Sequence, residues 1–252
     1  VVLLGCSNQR TREHAEGGLV RLSIEDSNRV IIIKQLVGML YDSGKEQAAA
    51  ALANLASDSA GNRVSIVDAG GIKPLLALLE GDSSTKAKEN SLTAITHLAQ
   101  GNEERQVAIS ETGGISLVVS VLHSSPSNVK DTSTIVLCTL AANCVAALCT
   151  GNKANQTDIR EAREGACIPA LVAMLGSPQA EMQAEGADAI SALVREHTKN
   201  QAAVARTGAI APLCTNVREG SAETKERSAS ALWSLATDNA PNKATIAKLG
   251  GI

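Results

Sequence analysis

Phenylalanine is missing from these 252 residues, and tyrosine and tryptophan occur once each, as Tyr41 and Trp233. A core has to be filled by Leu, Ile, Val and Ala instead, which suits helices that approach closely through small side chains. The same shortage removes the aromatic platforms on which a single nucleic-acid strand stacks. Charge of one sign is lacking too, since 23 basic and 26 acidic residues leave a formal net charge of −3. That leaves no basic footprint for nucleic acid and no polybasic stretch for an anionic membrane. Hydrophobic residues at 44% are enough to bury a core, which separates the chain from disordered and fibrous classes.

Paired cysteine spacings are absent as well. Cys6, Cys138, Cys144, Cys149, Cys167 and Cys214 include no C-x-x-C, so zinc and thioredoxin-like patterns are not met. Cys138 and Cys149 stand roughly 16 Å apart along one helical stretch, too far to bridge. The cysteines read as free, buried, small hydrophobes in a reducing compartment, the cytoplasm with the nucleus also open. Asn155-Gln156-Thr157 is a formal glycosylation sequon, which the free-thiol pattern argues against using.

Catalytic signatures are missing in turn: no G-x-S-x-G, G-x-G-x-x-G, phosphate loop or H-E-x-x-H occurs. His14, His97, His123 and His197 fall in separate repeats, and the triplets Arg12-Glu13-His14 and Arg195-Glu196-His197 read as solvated helix ends. No catalytic residue, cofactor, metal ligand or small-molecule substrate is expected, and the chain is not read as an enzyme. Residues 132–152 (TSTIVLCTLAANCVAALCTGN) carry no charge and are long enough to span a bilayer. Their threonines and asparagines favour a buried helix over a membrane span.

What the sequence does have is recurrence. AGGIKPLLALL (69–79) returns as TGGISLVVSVL (112–122), EGACIPALVAML (164–175) and TGAIAPLCTNV (207–217), and the chain ends on LGGI (249–252). Gly70, Gly113, Gly165, Gly208 and Gly250 recur at spacings of 43, 52, 43 and 42. A period in the low forties belongs to helical solenoids or propeller blades. EQAAAALANLA (46–56) decides for helix, because Ala48, Ala51, Leu52 and Leu55 fall on one face. ENSLTAITHLA (89–99), AEGADAISALV (184–194) and ERSASALWSLA (226–236) are its counterparts.

Each glycine suits a left-handed cap ending a short first helix. Pro74, Pro169 and Pro212, four residues later, suit the first turn of a second helix. Ser177-Pro178 and Ser125-Pro126 read as starts of a third helix. NRVSIVDAGGIKPLLALL followed by KAKENSLTAITHLA resembles the armadillo repeat, and the resemblance covers essentially the whole chain. It implies an all-α, right-handed superhelical solenoid of stacked three-helix units.

The units are placed at 28–58, 62–100, 102–150, 155–197 and 200–238, with partial copies at 1–24 and 242–252, so that the chain reads as an excerpt of a longer one. The unit after Ser27 lacks the glycine pair, so either a turn is deleted there or residues are missing. From Leu122 to Leu148 there are seven residues more than from Leu79 to Leu98, which predicts a third helix that starts early or is extended.

In armadillo proteins the concave groove lined by third helices is the usual binding surface, and the resemblance implies the same here. The lining stripe opposite the Ala48/Leu52/Leu55 face runs through Arg21, Asn54, Thr93, His97, Asn143, Asp188, Ser230 and Ser234. Ala50 stands where importin-α would carry tryptophan, and only Arg21 and Arg227 supply the basic groove of β-catenin, so neither is a close match. Trp233 is expected to pack between adjacent third helices, and as a rare aromatic it is carried as an anchor candidate. Arg12-Glu13, Lys45-Glu46, Lys88-Glu89 and Lys225-Glu226 read as first-turn pairs that offset the helix dipole, or as a carboxylate ladder for a basic peptide.

These features point to a non-catalytic scaffold that binds protein or an extended peptide. The alternatives are a structural subunit of a multiprotein complex, bound through broad surfaces including an extended 126–149 helix, and the recruiting part of a larger chain such as a ubiquitin ligase.

Overall fold

The computed structural model describes residues 4, 9–22, 26–42, 44–124 and 131–251. Cys6 and the Ser125-Pro126 cap lie outside them. All regular elements among the described residues are helices, so the fold is an all-α solenoid. The chain divides into two compact units, Val1–Gly114 and Ile115–Ile252.

The first unit holds α1 (Gln9–Leu22), α2 (Asp26–Met39), α3 (Lys45–Asp58), α4 (Ala60–Asp68), α5 (Ile72–Ala77), α6 (Thr85–Ala99) and α7 (Glu103–Glu111). Alanine at six of the fourteen α3 positions has no bulk to hold a neighbour off, and α3 packs along α6. Ala48, Leu52 and Leu55 are fully buried and Ala51 nearly so, as the helical spacing requires. Each Leu withdrawn from water stabilises the pair by ~1.5–3 kcal/mol. Where other copies have a first and a second helix, residues 26–39 form the single helix α2.

The glycine pair works as two different devices. Gly70, at φ +74°, occupies the left-handed region that ends α4. Gly71 lies against α4 so closely that a Cβ there would sit 2.8 Å from Ile66 Cγ2 and 2.9 Å from its carbonyl oxygen. Pro74 then falls in the first turn of α5, where a missing N–H costs nothing.

The second unit contains α8 (Gly114–His123), α9 (Thr132–Cys149), α10 (Lys153–Gly165), α11 (Cys167–Leu175), α12 (Ala180–Val194), α13 (Thr198–Arg206), α14 (Ile210–Glu219), α15 (Ala222–Ala236) and α16 (Ala240–Lys248). Here α9 packs on α12 and α12 on α15. At 18 residues α9 exceeds the 15 of α12 and α15. It begins at Thr132 on an Asp131 cap. It is long and apolar enough to cross a membrane by length and composition, yet Cys138, Ala141, Cys144, Val145 and Leu148 are buried in the unit. The third helix α12 starts at Ala180, and Ser177 acts three residues earlier, its hydroxyl accepting from the Gln179 N–H.

A polar clamp ties each first helix to the third helix before it. Asn62 donates through Nδ2 to the Leu55 carbonyl, Asn155 to Leu148, Asn200 to Leu193 and Asn242 to Leu235, at 2.9–3.1 Å. In α7 Arg105 takes the place and donates through Nε to Leu98. Each clamp satisfies a carbonyl that a helix C-terminus would otherwise leave unpaired. Asn155 is spent in this way and 1% exposed, so the sequon offers no acceptor.

The cysteines Cys138, Cys144, Cys149, Cys167 and Cys214 are buried and form no disulfide. Burial pushes the Cys167 thiol up to about 12 and raises Cys149 well above the usual range, with Cys167 and Cys144 adding to the latter. These thiols fill space.

Candidate functional site

The third helices set out the predicted lining residues at equivalent positions within each unit. In the first, Asn54 on α3 is exposed, while Thr93 and His97 on α6 are half-buried. Thr93 Oγ1 donates to the Glu89 carbonyl at 2.9 Å, and His97 Nδ1 lies 3.3 Å from Gln100 Oε1. Asn90, one turn nearer the helix start, bridges to the Glu46 carbonyl on α3 at 3.3 Å. Arg21 is exposed in the last turn of α1, and with His14, Gly17 and Gly18 it lines a cavity of ≈ 380 Å³.

In the second unit Asn143 on α9 and Asp188 on α12 are half-buried and face outward. Ser234 departs from the expectation. It is 1% exposed, because its hydroxyl and that of Ser230 both lie 3.1 Å from Ser191 Oγ across the α12–α15 seam. Small hydroxyls let the helices close over Ser234, which leaves it no surface to offer a partner. Trp233 departs in the opposite sense. Expected between third helices, it is 65% exposed, because α15 has no third helix on its outer side among the described residues.

The strongest electrostatic feature joins Asp188 and Arg227, both named from the sequence, to two carboxylates that were not, Glu185 and Glu223. Arg227 on α15 reaches Glu185 (2.9 Å) and Asp188 (3.9 Å) on α12 and Glu223 (2.7 Å) on its own helix. Three carboxylates share one guanidinium. Burial raises the Glu185 carboxyl above its usual range, with Arg227 pulling the other way and Asp188 adding to the rise. Burial also works to lower the Arg227 value, but Glu185, Asp188 and Glu223 outweigh it and the guanidinium is held more firmly charged. The signal was present in sequence, since Glu185 and Asp188 are three apart on one helix face.

The paired charges at 88–89 and 225–226 sit a turn inside α6 and α15. The dipole reading therefore holds for Glu46 in the first turn of α3, and Glu223 fills that role in α15. The side chains of Arg12 and Glu13 lie outside the described ones.

His197 is not a simple solvated end. It caps α13, its Nδ1 accepting from the Asn200 N–H at 3.3 Å while Nε2 lies 3.0 Å from Thr157 Oγ1. Accepting at Nδ1 requires the neutral ring. Burial lowers its pKa, and Arg160, Lys153 and Lys199 add to the effect. A histidine depressed in the folded state contributes stability that is full above its unfolded pKa of ~6.5 and is lost as pH falls through the folded value. His197→Asn keeps a capping side chain without a titrating proton. Acid titration of the thermal midpoint is therefore expected to be flatter for that variant than for the parent between pH 7 and 5.

Among the described residues no cluster of three or more His, Cys, Asp or Glu is arranged to hold a metal ion. Residues 59–100 match the Armadillo/beta-catenin-like repeat family. No curated protein matches the chain. Among solved structures, an engineered protein is 25% identical over 87% of this chain and 85% of its own, with a TM-score of 0.77. A second engineered protein, also 25% identical, covers 99% of this chain, which spans 60% of that longer one, at a TM-score of 0.79. A designed armadillo repeat protein in complex with the peptide (KR)4 is 22% identical over 92% of this chain and 96% of its own, at 0.75. The last likeness carries the fold, which is that of armadillo-repeat solenoids.

Proposed function

We propose that this armadillo-repeat solenoid is a non-catalytic interaction scaffold, binding an extended stretch of a protein partner along the outward faces of its third helices. The observation that carries the reading is the repetition of half-exposed polar side chains at one helical position, Thr93, Asn143, Asp188 and Ser230, with Asn54 and His97 a turn further on. Helices pack ~8–10 Å apart and an extended strand advances ~3.3 Å per residue, so about three residues pass each ridge. In the second unit the excess of carboxylates around Arg227 favours lysine or arginine in the passing segment. Buried thiols outside any disulfide support a reducing compartment, the cytoplasm or nucleus.

Panning a random library of displayed 12-residue peptides on the immobilised chain tests this. Selected peptides are expected to be rich in Lys and Arg and to lose at least about ten-fold in affinity when Asn54→Ala and His97→Ala are combined with Asp188→Ala. Peptides that bind the triple variant unchanged would sink the groove reading.

A second reading, a structural subunit held through broad surfaces, draws on half-exposed Ile135, Val136 and Leu137 at the start of α9. Under that reading partner capture survives the groove substitutions and fails when Thr132–Leu140 is shortened.

A further inference from the structure

Each short first helix among the described residues begins on a side-chain cap, and one of those caps titrates. Ser59, Asn102, Asn152 and Asn239 hold the starts of α4, α7, α10 and α16 through an oxygen that accepts from the backbone N–H three residues on. At the start of α13 the acceptor is instead Nδ1 of His197, 3.3 Å from the Asn200 nitrogen. Serine and asparagine cap alike throughout the physiological pH range, whereas an imidazole caps only while it is neutral.

The surroundings fix which neutral form is present. Thr157 Oγ1 donates to the Lys153 carbonyl at 3.2 Å and lies 3.0 Å from His197 Nε2. A hydroxyl whose proton is given to that carbonyl accepts from the ring, so the imidazole proton sits on Nε2 and Nδ1 keeps its lone pair for Asn200. A second proton has one place to go, Nδ1, where N–H would meet N–H at the positive end of a helix. Burial opposes that proton, and so do the cations facing the ring, Arg160 and Lys153 on α10 and Lys199 on α13. Of the neighbouring carboxylates, Glu196 is turned to Lys153 at 3.8 Å and Glu161 to Arg160 at 2.6 Å. The cap holds more than its own helix. In the first turn of α13, Asn200 donates to the Leu193 carbonyl of α12 and the Gln156 carbonyl of α10, and Gln201 donates to the Ser234 and Thr237 carbonyls at the end of α15.

We infer that His197 is a proton-operated latch between the copies at 155–197 and 200–238: the neutral ring closes the first turn of α13 onto α10, α12 and α15, and the imidazolium releases it. The latch stands apart from what the third helices bind, so its failure leaves the peptide-binding reading intact. Protonation is easier in the opened turn than in the closed one. Opening therefore grows as pH falls below the ~6.5 of a free imidazole, and it levels off once the closed ring has itself taken the proton.

Amide hydrogen exchange between pH 7 and 5, corrected for the intrinsic effect of pH, reads local opening residue by residue. Protection of the Asn200 N–H is expected to fall about five-fold, the worth of a helix cap, while that of the equivalent Asn242 N–H behind the Asn239 cap stays within about two-fold. His197→Asn gives α13 the cap that α10 and α16 already use. It is expected to keep the protection of Asn200 at pH 7 and to remove its dependence on pH. Ring resonances of the parent supply a second measurement, with the His197 imidazole expected to titrate below ~6.5. Asn200 and Asn242 losing protection together would overturn the inference, as would a loss at Asn200 that survives in His197→Asn. A His197 ring carrying two protons at pH 7 would also overturn it, because the closed turn would then hold the imidazolium.

Discussion

Asn200→Ala is expected to lower the free energy of unfolding by about 3 kcal/mol, from the loss of two buried hydrogen bonds at ~1–3 kcal/mol of stranded carbonyl each. Its Nδ2 donates at 2.9 Å both to the Leu193 carbonyl, at the end of α12, and to the Gln156 carbonyl of α10, and the residue is 0% exposed. One side chain thus fastens α13 to two helices of the preceding copy, and alanine supplies no donor to either. The replacement also leaves a small cavity, which α10, α12 and α13 cannot close without shifting their shared backbone contacts. Asn200→Asp, the same shape without the donors, is expected to be at least as damaging. Asn54→Ala, on an exposed position of α3, is expected to stay within about 0.5 kcal/mol of the parent. Urea unfolding followed by helical circular dichroism separates these outcomes, with the midpoint falling for the Asn200 variants only.

That clamp shows where sequence reading stopped. The glycine period, the first-helix caps and the apolar face of the third helix were legible because each is a local requirement: a left-handed φ, a missing N–H, a 3.6-residue repeat. The asparagine that precedes each glycine anchor was visible as a letter, but its role depends on a carbonyl seven residues back on a different helix. Local pattern does not disclose such a contact. Arg105 hides it further by doing with a guanidinium what the others do with an amide.

Residue exposure failed for the same reason. Ser234 and Trp233 are neighbours on α15, and the heptad-like stripe put the serine outward and the tryptophan inward. The seam is set by Ser191 on α12, whose hydroxyl meets both Ser230 and Ser234 and so buries the serine, while Trp233 turns to the side of α15 that no third helix covers among the described residues.

Length changes were legible in amount and not in form. From Asn155 to Gly165 there are two residues more than from Asn200 to Gly208. The structure takes them up as Arg163 (φ 48°, ψ 50°) and Glu164 (φ 58°, ψ 30°), a left-handed pair that kinks α10 before its glycine. Non-glycine residues pay for that conformation, and nothing in the letters REAREG announces it. Of the seven surplus residues before Leu148, three lengthen α9 beyond α12.

Arg227→Ala is expected to cost about 2–3 kcal/mol, below the ~3–5 kcal/mol for stranding a fully buried charge because water still reaches part of this cluster. The Arg227 side chain is 28% exposed and that of Glu185 11%, so the carboxylate left behind is the less hydrated partner. Its carboxyl is already raised by burial with the guanidinium in place, and Asp188 and Glu223 would then act on it without opposition. A carboxyl raised in the folded state weakens the fold above its folded pKa and ceases to do so as pH falls through that value, since the folded chain then binds the extra proton. The deficit of Arg227→Ala should therefore be largest at neutral pH and shrink on acidification. Arg227→Lys is expected to fall between the two, keeping one charge but losing the fork that lets Nη1 reach Glu185 while Nη2 reaches Glu223. Adding Glu185→Gln to Arg227→Ala removes the stranded charge and is expected to restore most of the midpoint in a urea titration at pH 7. If the single and double variants unfold together, the carboxylates around α12 and α15 are solvated well enough that Arg227 is not what allows α12 and α15 to close.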